Sequence, residues 1–193
     1  MKKVKFLAIP VLTLALLGCG VAQWVKAAQQ ILPVVLPMVT NLVTAISLLQ
    51  GKTVSPTDFR TISNTANQVS ADLNLVRQLV NQYESSPNAT TVEKINAALQ
   101  DVNTHLNGLL AALHVSDPST VQKITAITTL INSEVSSIIQ ILPVISAGQT
   151  RAQRNMSTVP LSASELKSQY NEIVSQPTRN SSVNAAFAGA VLK

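Results

Sequence analysis

Aromatic side chains are scarce in this chain, glycine is held to six residues and cysteine to one. With one Trp, two Tyr and three Phe in 193 residues, any core must be aliphatic. So few glycines leave no glycine-rich phosphate loop. The lone cysteine, Cys19, excludes an internal disulfide and any zinc site of cysteine–histidine spacing. Charge is thin as well, at 12% of residues against about 25% in ordinary globular chains. The formal net charge of +5 overstates the basic character, because Lys2, Lys3 and Lys5 precede Cys19, leaving 11 basic against 9 acidic side chains after it. The excess sits late, in Arg151, Arg154, Lys167, Arg179 and Lys193. No basic stripe interleaves with aromatics, so no nucleic-acid partner is expected.

Catalytic and metal-binding patterns are missing too. His105 and His114 stand nine apart on one predicted helix, on nearly opposite faces. Asp58, Asp72, Asp101 and Glu134 are scattered and read as solvated. Glu84 and Glu93 lack the Glu-x-x-His partners of a di-iron bundle, and no serine lies in a nucleophile elbow. The expectation is a protein that is not an enzyme, with no cofactor and no metal.

What is present begins at the N-terminus. Lys2, Lys3 and Lys5 are followed by an apolar run from Phe6 to Leu17, then Gly18 and Cys19. The run is shorter than the roughly 20 residues a membrane-spanning helix needs and has the layout of a targeting segment. Leu16-Leu17-Gly18-Cys19 resembles the lipobox of bacterial lipoproteins, although Leu17 stands where that pattern has a small or β-branched residue. The resemblance implies a leader, residues 1–18, removed ahead of Cys19. It further implies a thiol carrying a diacylglyceryl group with palmitate-like chains, and an acylated amine. Gly20 rather than Asp resembles lipoproteins that leave the inner membrane, so the bacterial outer membrane or cell surface is the implied location. The alternative is an ordinary secretory signal cut after Ala22.

Beyond Cys19, apolar residues recur at alternating steps of three and four. The series are Trp24 to Leu49, Phe59 to Tyr83, Val92 to Leu113 and Val121 to Ile145, with Thr128 the one polar member. A mean step near 3.5 marks a coiled-coil-like helical seam. Gly51 suits the end of the first helix, and Ser55-Pro56, Ser86-Pro87 and Asp117-Pro118 suit the starts of the next three. The equal spacing of those prolines, with the likeness of Thr91–Ala97 to Thr120–Ala126, fits duplication of a helical arm or convergence of equal-length helices. The expected fold is all-α: an antiparallel up-down-up-down four-helix bundle over residues 19–148, with a C-terminal extension over 149–193. In that extension Ser162 and Glu165 form a capping box that opens a short helix, about 162–175, with Leu166, Tyr170, Ile173 and Val174 on one side. From Gln176 the chain reads as a flexible tail.

Three prolines interrupt the helical pattern: Pro33, Pro37 and Pro143. Two fall in identical pentapeptides, Gln30–Val34 and Gln140–Val144, which the topology places in one layer at the end of the rod that carries Cys19. Gln30, Pro33, Pro37, Gln140 and Pro143 are thus the candidate hinge or apolar pocket, set against simple helix curvature or a helix beginning after Pro33 or Pro37. Helix one is apolar on nearly all faces from Ile31 to Leu49, which fits central burial, under the fifth helix, or contact with membrane. The expected function is a lipid-anchored helical protein of the cell envelope with a structural or partner-binding role, tied to the membrane through Cys19. Its protein partner is unspecified and self-association is open. The alternatives are a carrier of a small apolar ligand or lipid, and a membrane-perturbing protein.

Overall fold

A computed structural model of the chain describes residues 9–49, 55–112, 115, 117–146, 149–151 and 160–193; side chains are described from Gln23 on, without those of 112, 144–146 and 149–151. Six helices lie among these residues: α1 (Ile9–Ser47), α2 (Pro56–Ser85), α3 (Ala89–Ala112), α4 (Pro118–Ile141), α5 (Ala163–Ser175) and α6 (Ser181–Ala188). Between α4 and α5, β1 (Val144–Ser146) and β2 (Gln149–Arg151) form a two-stranded antiparallel hairpin with Ile145 opposite Thr150. Apart from that hairpin the described chain is all-helical.

Local chemistry sets the helix starts. At α2 the Ser55 hydroxyl accepts from the Asp58 backbone N–H at 3.1 Å, ahead of Pro56. At α4 the Asp117 carboxylate accepts from the Thr120 N–H at 3.1 Å and from the Thr120 and Ser119 hydroxyls. Those bonds, chiefly from the Thr120 hydroxyl, hold the Asp117 carboxyl below the usual carboxylate range. At α3 the expected Ser86–Pro87 start is two residues early. Asn88 is the residue whose Oδ1 accepts from the Thr91 N–H at 2.8 Å, and a side-chain amide oxygen serves this role as well as a hydroxyl does. The capping box of α5 is formed, with Ser162 and Glu165 exchanging bonds.

The seven-residue rhythm is the core. Trp24, Ala28, Ile31, Val35, Met38, Leu42, Ala45 and Leu49 of the first series are all buried. So are Ile62 to Tyr83 of the second, Val92 to Leu109 of the third, and Ile124 to Leu142 of the fourth; Phe59 and Val121 are half-buried at the ends. Thr128 answers for its place in the seam by donating its hydroxyl to the Ile124 carbonyl at 2.9 Å. α1 packs against α2 and α4, and α3 against α2 and α4. From Trp24 to Pro33 of α1 the partners on α2 fall from Tyr83 to Arg77, and from Asn103 to Asn107 of α3 those on α4 fall from Ser136 to Asn132. Trp24 meets Tyr83 and Gln29 meets Glu84, while Leu32 and Pro33 share a depression with Arg77 and Val80. Asp72 pairs with His105, and Asn103 and Asn107 pair with Ser136 and Asn132.

Two expectations are corrected at the C-terminal side. The fourth helix does not carry the rhythm to Ile145: α4 ends at Ile141, Leu142 is already extended, and Pro143 is outside the helix. A proline disfavours the helical conformation of the residue before it and has no N–H to donate, which stops the helix there. The tail beyond Gln176 is not featureless. Asn180 caps α6 through the N–H groups of Ser182 and Val183, and Val183, Phe187 and Ala190 are buried. Together α5 and α6 lie on α1 and α4. Besides the seam, Val25, Leu32, Val34, Val39 and Ile46 of α1 are also buried.

Candidate functional site

Of the residues singled out from the sequence, Pro33 and Pro37 lie inside α1, the first exposed and the second half-buried. Gln30 is exposed on α1, Gln140 is exposed on α4, and Pro143 is half-buried just past α4. Pro33 alone of these five lines a depression of about 170 Å³ between α1 and α2, with Gln29, Leu32, Arg77, Val80 and Asn81. Its surface is mostly apolar although Gln29, Arg77 and Asn81 are among its six lining residues, and the volume is below the roughly 300–1,000 Å³ of typical small-molecule sites. Beside it, Gln29 Nε2 donates to Glu84 Oε2 at 2.7 Å. One turn nearer the N-terminus, the Trp24 and Tyr83 rings meet at 5.0 Å, tilted by 55°. The Trp24 indole N–H is buried with no partner among the described residues. Burial pushes the Tyr83 phenol up.

Cys19 lies within α1, but its side chain is outside the described residues, as are residues 1–8 and His114. His105 is accounted for by Asp72, whose carboxylate lies 2.8 Å from Nδ1, half-exposed on the α2–α3 surface. Among the described residues no three His, Cys, Asp or Glu side chains are grouped to hold a metal ion.

A second polar cluster lies where α5 and α6 meet α1 and α4, and the sequence reading did not foresee it. Asn41 Nδ2 donates to the Tyr170 hydroxyl at 3.1 Å and to the Ala190 carbonyl at 3.0 Å. Lys123, 5% exposed, donates its ammonium to the Val174 carbonyl at 2.8 Å and lies 5.1 Å from the centre of the Phe187 ring. Burial pulls its pKa down. Glu134, read as solvated from the sequence, is 3% exposed and accepts from the Leu161 N–H at 3.0 Å. Burial pushes its carboxyl up, against the Leu161 bond and with the aid of the nearby Glu165 charge. The Arg179 N–H donates to the Ser119 hydroxyl at 3.0 Å. A lysine and a glutamate inside a helical heptad look like surface residues in sequence. Only the presence of two covering helices turns them inward.

Asn41, Lys123 and Glu134 each have a main-chain partner in the C-terminal segment, so the arrangement fastens one layer to another. Comparison with family models, curated proteins and solved structures finds no match for this chain.

Proposed function

We propose that this protein is a lipid-anchored component of the bacterial envelope, held at Cys19, whose helical body is a structural or partner-binding module and not an enzyme. The observation that carries the reading is the closeness of anchor and core. Trp24, the first buried side chain described, comes five residues after the lipobox-like Leu16–Cys19. Five residues reach at most about 17 Å even when extended. A lipid on Cys19 therefore holds the Trp24–Tyr83 end against the bilayer without a spacer, and the body projects outward from the outer membrane or cell surface. Two or three acyl chains, at about 0.8 kcal/mol per buried CH₂, make that attachment firm.

Within this reading α1–α4 form an up-down-up-down bundle. The support is the cycle of neighbours α1–α2–α3–α4–α1 together with the reversed order of Trp24–Tyr83 and Pro33–Arg77 between α1 and α2, and of Asn103–Ser136 and Asn107–Asn132 between α3 and α4. Followed from Pro33 across to Arg77, then through Asp72–His105 and Asn103–Ser136, the pairs lead to the last turn of α4, next to Pro143. Both glutamine–proline pentapeptides then occupy one layer in the membrane-proximal half. There Pro33 lies inside one helix, which runs on through it, and Pro143 ends another.

The test is metabolic labelling with a fatty acid in a bacterial host, comparing the natural chain with Cys19→Ala. Label in the membrane fraction that disappears in the variant is the expected result. An unlabelled natural chain, or label that survives the substitution, overturns the anchoring.

A further inference from the structure

The depression between α1 and α2 has a positive group at one end, a negative group at the other and free acceptors along its side. On α2, Arg77, Val80, Asn81 and Glu84 follow at i, i+3, i+4 and i+7, which places them on one face. Arg77 and Glu84 thus stand two turns apart, about 10 Å along the helix. Buried Leu32 and Val80 form an apolar floor. Among the described residues the Arg77 guanidinium and the Asn81 side-chain amide have no hydrogen bond or ion pair. Glu84 is engaged on one oxygen only, Oε2, to which Gln29 Nε2 donates at 2.7 Å. The acceptors come from α1. Pro33 has no N–H, so the Gln29 carbonyl one turn before it lacks its helical donor, and Pro37 leaves the Pro33 carbonyl in the same condition. Gln29 and Pro33 both line the depression.

We propose that this depression binds a short zwitterion, an ammonium joined through two carbons to a phosphate or carboxylate, as in phosphoethanolamine. This inference does not rest on lipidation of Cys19. The planar fork of Arg77 takes the anionic end, for which guanidinium geometry is suited. The ammonium has three N–H groups and no acceptor. It donates to the Gln29 carbonyl and to the second oxygen of Glu84, while the carbon linker lies on Leu32 and Val80. Charge decides against simpler ligands. A plain anion gains Arg77 but meets the Glu84 carboxylate, and a plain cation meets Arg77; a zwitterion gains at both ends. The spacing agrees, since about 10 Å less two charge-assisted bonds of about 2.8 Å leaves roughly 4–5 Å for the ligand's own charge separation. A cavity of about 170 Å³ exceeds what single waters need and is too small for a drug-sized molecule.

The test is an NMR titration of the full chain in maltoside micelles, reading the side-chain N–H signals of Arg77, Gln29 and Asn81. The probes are phosphoethanolamine and β-alanine, with ethanolamine and inorganic phosphate as single-charge controls. The expected result is saturable shifts with both zwitterions at millimolar concentration, and binding about tenfold weaker for each control. Arg77→Gln and Glu84→Gln, both at exposed positions, should each weaken binding about tenfold and leave the rest of the spectrum in place. Pro33→Ala returns an N–H to the Gln29 carbonyl and should weaken binding several-fold without loss of stability. No saturable shift with the zwitterions, controls that bind as well as they do, or unchanged binding in Arg77→Gln overturns the proposal. Vesicles of phosphatidylcholine, whose ammonium has no N–H, with and without phosphatidylethanolamine then identify the source. Competition that requires phosphatidylethanolamine assigns a lipid headgroup, and its absence assigns a free compound.

Discussion

Asn41 is the point at which the junction of α1 with the covering helices is most open to measurement. Its amide nitrogen gives one hydrogen to the Tyr170 hydroxyl and the other to the Ala190 carbonyl, at 3.1 and 3.0 Å. Each bond contributes about 1 kcal/mol net, and a buried acceptor left unpaired costs about 1–3 kcal/mol. Ala190 is 5% exposed, so its carbonyl has little access to water after Asn41→Ala. The expected loss for Asn41→Ala is therefore about 2–3 kcal/mol, or a fall in Tm of roughly 4–12 °C for a chain of this length. Tyr170→Phe keeps the buried ring and removes only the hydroxyl, for an expected loss of about 1 kcal/mol. The double variant should lose less than the sum of the two, by a coupling of about 1 kcal/mol, because the bond between them is lost only once. Urea unfolding of the four proteins, followed by far-ultraviolet circular dichroism, supplies all the terms. Strictly additive losses, or a neutral Asn41→Ala, would refute the claim that this amide fastens α5–α6 to α1.

Glu134 gives a pH signature. Its folded carboxyl holds its proton to higher pH than in the unfolded chain, so stability should fall as pH rises from the ordinary glutamate value through the raised folded one, then level off. Glu134→Gln, which keeps an oxygen for the Leu161 N–H, should flatten that part of the profile and stabilise the protein at pH 7 by about 1 kcal/mol; an unchanged slope contradicts the assignment. Gly108 lies in α3, and an added Cβ would meet Thr65 Cγ2 at an ordinary 4.0 Å. Gly108→Ala should therefore raise stability by about 1 kcal/mol in thermal unfolding, and a loss would mean the α2–α3 approach is tighter than it looks. Pro33 is exposed inside α1, so Pro33→Ala should restore a helical N–H and stabilise by about 1–3 kcal/mol. A destabilised variant would show that the interruption is needed for packing.

The helical body was legible because its stabilisation is carried by one periodic signal. Every member of the four apolar series whose side chain is described is buried or half-buried, Thr128 included. The failures have local causes. Pro143 stopped α4 one turn before the rhythm lapses, since backbone chemistry at a proline overrides side-chain pattern. α6 is eight residues long, too short to reveal a period against the surrounding alanines, and its signal was the Asn180 cap followed by Val183 and Phe187 one turn apart. The polar cluster of Asn41, Lys123 and Glu134 was invisible because its partners are mostly main-chain groups some 27 to 149 residues away. Sequence spacing within one helix carries no record of such contacts. Of the five candidate hinge or pocket residues, Pro33 lines the depression between α1 and α2, whose other lining residues, Gln29, Leu32, Arg77, Val80 and Asn81, were not singled out because they lie on the partner helix or on the flank of the proline.

The proposed function depends on where the mature chain begins and what its first residue carries. Mass spectrometry of the N-terminal peptide, taken from detergent-extracted membranes of a producing bacterium, reads both at once. The account predicts a peptide starting at Cys19 whose mass includes a diacylglyceryl group and a further acyl chain on the amine. A peptide starting at Gln23, or at Met1 with an unmodified Cys19, would contradict it.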